Sequence, residues 1–193
     1  MNSQLRFNQQ ISIGIRLALI MFILCGVFYS GFMTKLSALL FPLQAHGSLL
    51  MVQGKPVGSE LIAQPFVSEK YFYGRPSAAA YDPTVASGSN LAVSNPVLRA
   101  RVEINSQAIQ KSENVEAKNI PVDLVSASGS GLDPHISPAS AFLQVARVAK
   151  ARGLMEEAVR AVVDKNIEGP QWKIFGQPRV NVLKLNVALD GMK

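Results

Sequence analysis

The sequence predicts a single N-terminal transmembrane helix followed by one α+β extracytoplasmic domain. Three observations carry that prediction. Leu17 to Thr34 runs for 18 residues without a charged side chain, between Arg16 and Lys35. Two short apolar runs within 48–64 flank a turn at Gly54, the pattern of a β-hairpin. Helical patterns then open at Pro96 and Pro138, each behind a residue that can cap, Asn95 and Ser137.

The apolar stretch comes first. At about 1.5 Å per residue it makes roughly 27 Å of helix, close to the hydrocarbon core of a bilayer. Apolar residues continue through Leu36, Leu39, Leu40 and Phe41, which leaves slack for tilt. A buried core helix of this length would carry a polar stripe. The basic residues before it also suit a cleaved signal peptide, but the apolar part exceeds a typical h-region. The nearest cleavage-like site, Leu43-Gln44-Ala45, lies well beyond Lys35. An uncleaved anchor is therefore expected. Arg6 and Arg16 on one side against Lys35 on the other place the N-terminus in the cytoplasm. The expected division is a fraying cytoplasmic tail at 1–12, an anchor at 13–41 and a periplasmic domain at 42–193, in a bacterial inner membrane.

Composition narrows the function classes. The part beyond the anchor is long enough for one cored domain and too short for two. The net charge of +6 is mild, and no lysine or arginine cluster stands beside aromatics, so nucleic acid is not an expected partner. Cys25, the only cysteine, lies inside the anchor; it excludes an intrachain disulfide and a thiolate metal site. Glu60, Glu69, Asp82, Asp123 and Asp133 are scattered singly and form no metal-ligand pattern.

Within the domain, 48–64 reads as the hairpin. Pro65 to Pro96 is rich in Gly, Pro, Ser and Asn, which set turns, yet carries Tyr71, Phe72, Tyr73 and Tyr81. Two readings stand side by side. Either the aromatics pack an ordered loop onto the domain, or Tyr71, Tyr73, Arg75 and Tyr81 present a partner-binding surface. A helix is expected over 96–112, with Leu98, Val102, Asn105 and Ile109 on one face, and a short strand over Val122–Ser126. The next helix, 138–152, shows Phe142, Val145, Ala146 and Ala149 on one face and Gln144, Arg147 and Lys150 on the other; Gly153 ends it. A third spans 155–167. Residues 181–189 alternate like a strand through Leu183, Leu185, Val187 and Leu189, but Asn181 could equally cap a helix with Val182, Leu185 and Leu189 inward.

The loop holding Ser128, Ser130, Asp133 and His135 contains the residue types of a serine hydrolase. Neighbours in one loop rarely converge on one atom, however, and the G-x-S-x-G elbow is missing. A membrane-tethered serine hydrolase and a periplasmic solute-binding module are the alternatives to a non-catalytic subunit. The helix start at Ser137 could hold an anion. No phosphate-cradling G-x-x-x-x-G-K motif occurs.

Five segments, in order behind the anchor, carry a resemblance. They are GSELIAQPF (58–66), YFYGRPSAAAYDP (71–83), SGSNLAVSNP (87–96), VDLVSASGSGLDPHISPASAFLQVARVAKARG (122–153) and RVNVLKLNVALD (179–190). Together they resemble the C subunit of the bacterial Kdp-type potassium-transporting P-type ATPase, over nearly the whole chain. The resemblance implies a non-catalytic accessory subunit of a high-affinity, ATP-driven potassium import complex. Its implied partners are a channel-like potassium-binding subunit, an ATP-hydrolysing P-type subunit and a small membrane peptide, with membrane lipid around the anchor. It also implies a catalytic-chaperone role that raises the ATP affinity of the hydrolysing subunit. Gln144, in LQVARV, matches a glutamine proposed to contact nucleotide. No cofactor is expected on the chain itself, and ATP would be met only through the complex. Because ATP is cytoplasmic and the domain is expected outside, such a role would act through the membrane subunits or the short tail.

Overall fold

The computed structural model describes residues 2–192. The chain divides between Ser48 and Leu49 into two compact units.

The first unit is helical. α1 (Asn2–Met21), a π-helical stretch (Phe22–Tyr29) and α2 (Ser30–Leu40) follow one another without a break. Arg6–Leu40 is long and apolar enough to cross a membrane, and its most apolar 18-residue window has a mean hydropathy of 2.4. Ser30 Oγ donates to the Cys25 carbonyl at 3.0 Å, and Thr34 Oγ1 donates to the Ser30 carbonyl at 2.8 Å. These hydroxyls bond backbone carbonyls at and just after the π stretch, which suits a helix with no water around it. Within the expected tail at 1–12, residues 2–12 are helical, since α1 begins at Asn2. No glycine or proline interrupts residues 2–13, and extending an existing helix costs far less than nucleating one. Phe41 leaves the helix at φ −133°, as a residue before proline must, and α3 (Pro42–Ala45) adds one turn.

The second unit mixes helices and sheets. β1 (Leu49–Val52) and β2 (Lys55–Ser59) form the expected hairpin. Gln53 and Gly54 both take positive φ, 50° and 76°, which matches a two-residue turn to the twist of the strands. α4 (Pro96–Glu113) is capped by the Asn95 side chain, which accepts from Val97 N–H, and ends at Asn114 in the left-handed region. A 3-10 turn (Ala117–Asn119) leads to α5 (Val122–Val125). The expected strand at 122–126 is therefore corrected to a short helix, entered from Pro121 and closed by the Ser126 hydroxyl and amide on the Val122 carbonyl.

β3 (His135–Ile136), β4 (Ile167–Glu168) and β5 (Arg179–Asn181) form an antiparallel sheet in the order β3-β5-β4. The helix expected over 138–152 breaks at Gln144 into α6 (Pro138–Leu143) and α7 (Val145–Arg152). α8 (Glu156–Lys165) follows. The ambiguous last run is α9 (Val182–Asp190), because the Asn181 side chain caps it by accepting from Lys184 N–H at 3.1 Å. The core gathers where α7, α8 and α9 meet, around Val148, Val159, Val163, Leu185 and Leu189, all fully buried together with Phe72.

Candidate functional site

Residues 60–95 contain no helix or strand, so their backbone polar groups need other partners. Three side chains from the helices supply them at the aromatic segment. Asn186 of α9 pairs with Phe72 twice: Phe72 N–H donates to Oδ1 at 2.9 Å, and Nδ2 donates to the Phe72 carbonyl at 3.0 Å. Gln144, at the break between α6 and α7, does the same for Tyr73. Tyr73 N–H donates to Oε1 at 2.8 Å, and Nε2 donates to the Tyr73 carbonyl at 3.1 Å. Each amide presents a donor and an acceptor to one residue, as an antiparallel neighbour strand would.

Arg147 joins these contacts. Its Nη1 donates to the carbonyls of Glu69 (2.6 Å) and Tyr71 (3.0 Å), its Nη2 to Gln144 Oε1 (2.7 Å), and its Nε to Glu113 Oε1 (2.6 Å). The guanidinium lies 4.0 Å from the centre of the Tyr73 ring. The Arg147 and Glu113 side chains are only 6% and 3% exposed, so this is a buried ion pair held by several hydrogen bonds at once. A cavity of about 260 Å³ adjoins it, lined by Tyr73, Tyr81, Ile109, Glu113, Leu124 and Gln144 among others.

A wider groove of about 620 Å³ lies over Arg75, Asp123, Asp133, His135 and Arg179. Arg75 Nη1 meets Asp133 Oδ2 at 3.0 Å, and His135 approaches the other oxygen with its backbone amide at 3.0 Å and Nδ1 at 3.3 Å. Burial pushes the Asp133 carboxyl up, but the His135 hydrogen bonds and the Arg75 and His135 charges outweigh it and hold the group below its ordinary value. Asp123 sits at the start of α6, taking Ser137 N–H at 2.7 Å and the Ser140 hydroxyl at 2.7 Å. The helix start expected to hold an anion thus holds this chain's own carboxylate.

The serine-containing loop has a structural explanation. A side chain at Gly88 would stand 2.7 Å from the Gly129 carbonyl, and one at Gly131 would stand 2.8 Å from the Ser87 carbonyl. Ser77 Oγ donates to the Gly131 carbonyl at 2.6 Å. The two Ser-Gly segments therefore interlock backbone to backbone, which requires glycine at 88 and 131. Ser128 is buried, and Ser130 Oγ accepts from Leu132 N–H. Among the described residues no hydrogen bond joins either serine to His135.

Every residue expected at a partner or nucleotide surface makes contacts inside the domain. Tyr71 packs its ring at a tilt against Phe66 and donates its hydroxyl to Asp190. Tyr73 lies under Arg147, Arg75 pairs with Asp133, and the Tyr81 hydroxyl donates to the Arg75 carbonyl at 2.8 Å; burial raises the pKa of that phenol. Gln144 is 1% exposed, and both ends of its amide are taken twice. The expected faces of 138–152 need correction, since Gln144 and Arg147 are buried and Ala146 is exposed. Ser140, Ala141, Gln144, Val145, Val148 and Ala149 keep one buried helical stripe across the break, so the misassignment comes from placing polar residues outward by residue type. Sequence reasoning also missed Asn186, Glu113 and Asp123. Asn186 had a signal: it is a polar residue on the stripe Val182, Leu185, Leu189.

Comparison with known proteins gives a consistent result. The family model described as K+-transporting ATPase, c chain, matches residues 11–191. A potassium-transporting ATPase KdpC subunit of Shewanella putrefaciens is 58% identical over 183 residues, covering 95% of this chain and 92% of that protein. Those of Caldanaerobacter subterraneus and Methylococcus capsulatus are 52% and 51% identical, covering 94% and 89% of this chain and 95% and 92% of theirs.

Proposed function

This chain belongs to the family of the K+-transporting ATPase c chain, and on that premise we propose that it works as a preformed docking domain on a membrane anchor, with no chemistry of its own. In this reading Arg6–Leu40 spans the bacterial inner membrane with its N-terminus inside. The domain from Leu49 onward stands outside and binds the potassium-binding, ATP-hydrolysing and small peptide subunits into one assembly. The basic residues Arg6 and Arg16 against Lys35 support the orientation.

The observation that carries the reading is the clamp. Gln144, Asn186 and Arg147 spend their hydrogen-bonding capacity on residues 69–73 of the same chain. A side chain so occupied builds a fixed surface. Any effect on ATP affinity then travels through the partner subunits, because freeing Gln144 for a nucleotide would orphan both backbone groups of Tyr73 and take one hydrogen bond from Arg147. The test is removal of everything after Ala45 in the whole complex. Potassium uptake and recovery of the assembly in mild detergent should both fall. Wild-type uptake with an intact assembly would end the proposal. Protease added to intact spheroplasts should digest the domain, and protection of the whole chain would overturn the orientation.

A further inference from the structure

Between β4 and β5 the chain makes a small hairpin that the domain does not use. Gln171 and Phe175 pair as an isolated bridge, with N–H to carbonyl bonds of 2.8 and 3.0 Å, around the loop Trp172-Lys173-Ile174. Residues 171–178 are all exposed, with Trp172 at 85%, Ile174 at 76% and Phe175 at 58%. Trp172 packs edge-on against Phe175 at 6.0 Å, so the two rings form one apolar wedge. Trp172 and Lys173 both sit in the left-handed region, at φ 51° and 63°, a costly conformation for large side chains. Folding by itself gains nothing from this exposure.

We propose that the Gln171–Phe175 hairpin is a lipid-interface anchor, with Trp172, Ile174 and Phe175 inserted at headgroup depth and Lys173 reaching back to lipid phosphates. The proposal rests on the reading that Arg6–Leu40 spans a bilayer. Tryptophan at the interface with a nearby lysine is the composition such anchors carry, and Lys173 is the only charge from Gly169 to Pro178. The span also supplies the occupant. Only Phe41 to Ser48 separate it from the domain, at most about 28 Å of extended chain, so Leu49, where the domain begins, stays within that distance of the span's end. A protein partner is the weaker fit to this feature alone. Three side chains on one turn fall far short of the roughly 800 Å² that each side of a stable protein interface buries, whereas a tethered anchor needs only a few insertions.

Trp172 is the only tryptophan in the chain, so its fluorescence reports this hairpin alone. The full chain is reconstituted without partners in vesicles of phosphatidylcholine and phosphatidylglycerol. Resistance to carbonate extraction first confirms integration. Emission is then compared with vesicles whose acyl chains carry bromine near the headgroup. The expected result is a blue-shifted emission, lost to shallow bromines more than to deep ones and shielded from aqueous acrylamide. The double variant Ile174→Ser, Phe175→Ser should keep the circular dichroism of the wild type but shift the emission to the red and lose the bromine quenching. An integrated chain whose Trp172 ignores bromolipid and remains open to acrylamide overturns the anchor. So does a shift that appears only when partner subunits are added and is insensitive to bromine, which makes the hairpin a protein contact. A chain that carbonate strips from the vesicles refutes the spanning reading itself, and the tether with it.

Discussion

Replacing Gln144 by alanine separates a clamp from a nucleotide contact. The substitution removes four hydrogen bonds: two accepted, from Tyr73 N–H and Arg147 Nη2, and two donated, to the Tyr73 and Ser140 carbonyls. The amide is buried, so water does not replace it freely. An orphaned buried donor costs about 1–3 kcal/mol, and a lost bond to a charged donor about 1.5–3 kcal/mol. Arg147 keeps Glu113 and the carbonyls of Glu69 and Tyr71, which moderates its share. The net loss should be roughly 3 kcal/mol, or a Tm lowered by about 6–12 °C for a chain of this size. Thermal unfolding of the full chain in detergent, followed by near-ultraviolet circular dichroism, reads it directly. Asn186→Ala should behave alike, since it orphans both backbone groups of Phe72. Gln144→Glu should fall between, keeping the acceptor for Tyr73 N–H and Arg147 while turning a second acceptor toward two carbonyls. A Gln144→Ala chain with unchanged Tm, in a complex whose ATP affinity has dropped, would refute the clamp and restore the nucleotide contact.

Two further outcomes follow from the charges and the glycines. Asp133 and Glu168 have folded pKa values below the ordinary carboxylate range: for each, burial raises the value and is outweighed, by His135 and Arg75 in one case and by Lys184 and Arg179 in the other. Their stabilisation is therefore full above the unfolded pKa values and lost as pH falls through the folded ones. Lys184 is raised, chiefly by its hydrogen bond to Glu60, so its share is full below 10.5 and lost as pH climbs through the folded value. Urea midpoints should accordingly stay level from about pH 5 to about pH 10 and decline on both sides; a steep fall between pH 6 and 9 would contradict these assignments. Gly131→Ala should destabilise by about 1–3 kcal/mol, because it combines a φ of 71° with a clash on Ser87. Gly129→Ala, which meets nothing within 4 Å, should be nearly neutral in the same urea titration.

The parts of this fold that were legible in the sequence are those decided within a few residues. The Gly54 turn, the caps at Asn95 and Ser137 and the stop at Gly153 are local chemistry, and each stands where expected. The clamp was not legible, because its partners lie 71 and 114 residues apart and periodicity assigns polar residues outward. Gln144 and Arg147 break that assignment for a physical reason. A segment with no strand of its own, anchored through a fully buried Phe72, must have its amides and carbonyls met by something. Side-chain amides and a guanidinium from neighbouring helices are the groups able to meet them. A long, turn-rich segment holding an aromatic cluster thus calls for unexplained Asn, Gln or Arg on helix faces elsewhere, and Asn186 within LKLNVAL is such a residue. The same reasoning moves the search for contacts beyond this chain. Aromatics at 71–81 were candidates for an outward surface by composition, but their backbone and ring contacts are used inside the domain. Among the described residues Trp172 and Phe175 have only each other as ring partners, so composition and exposure agree there and disagree at Tyr73.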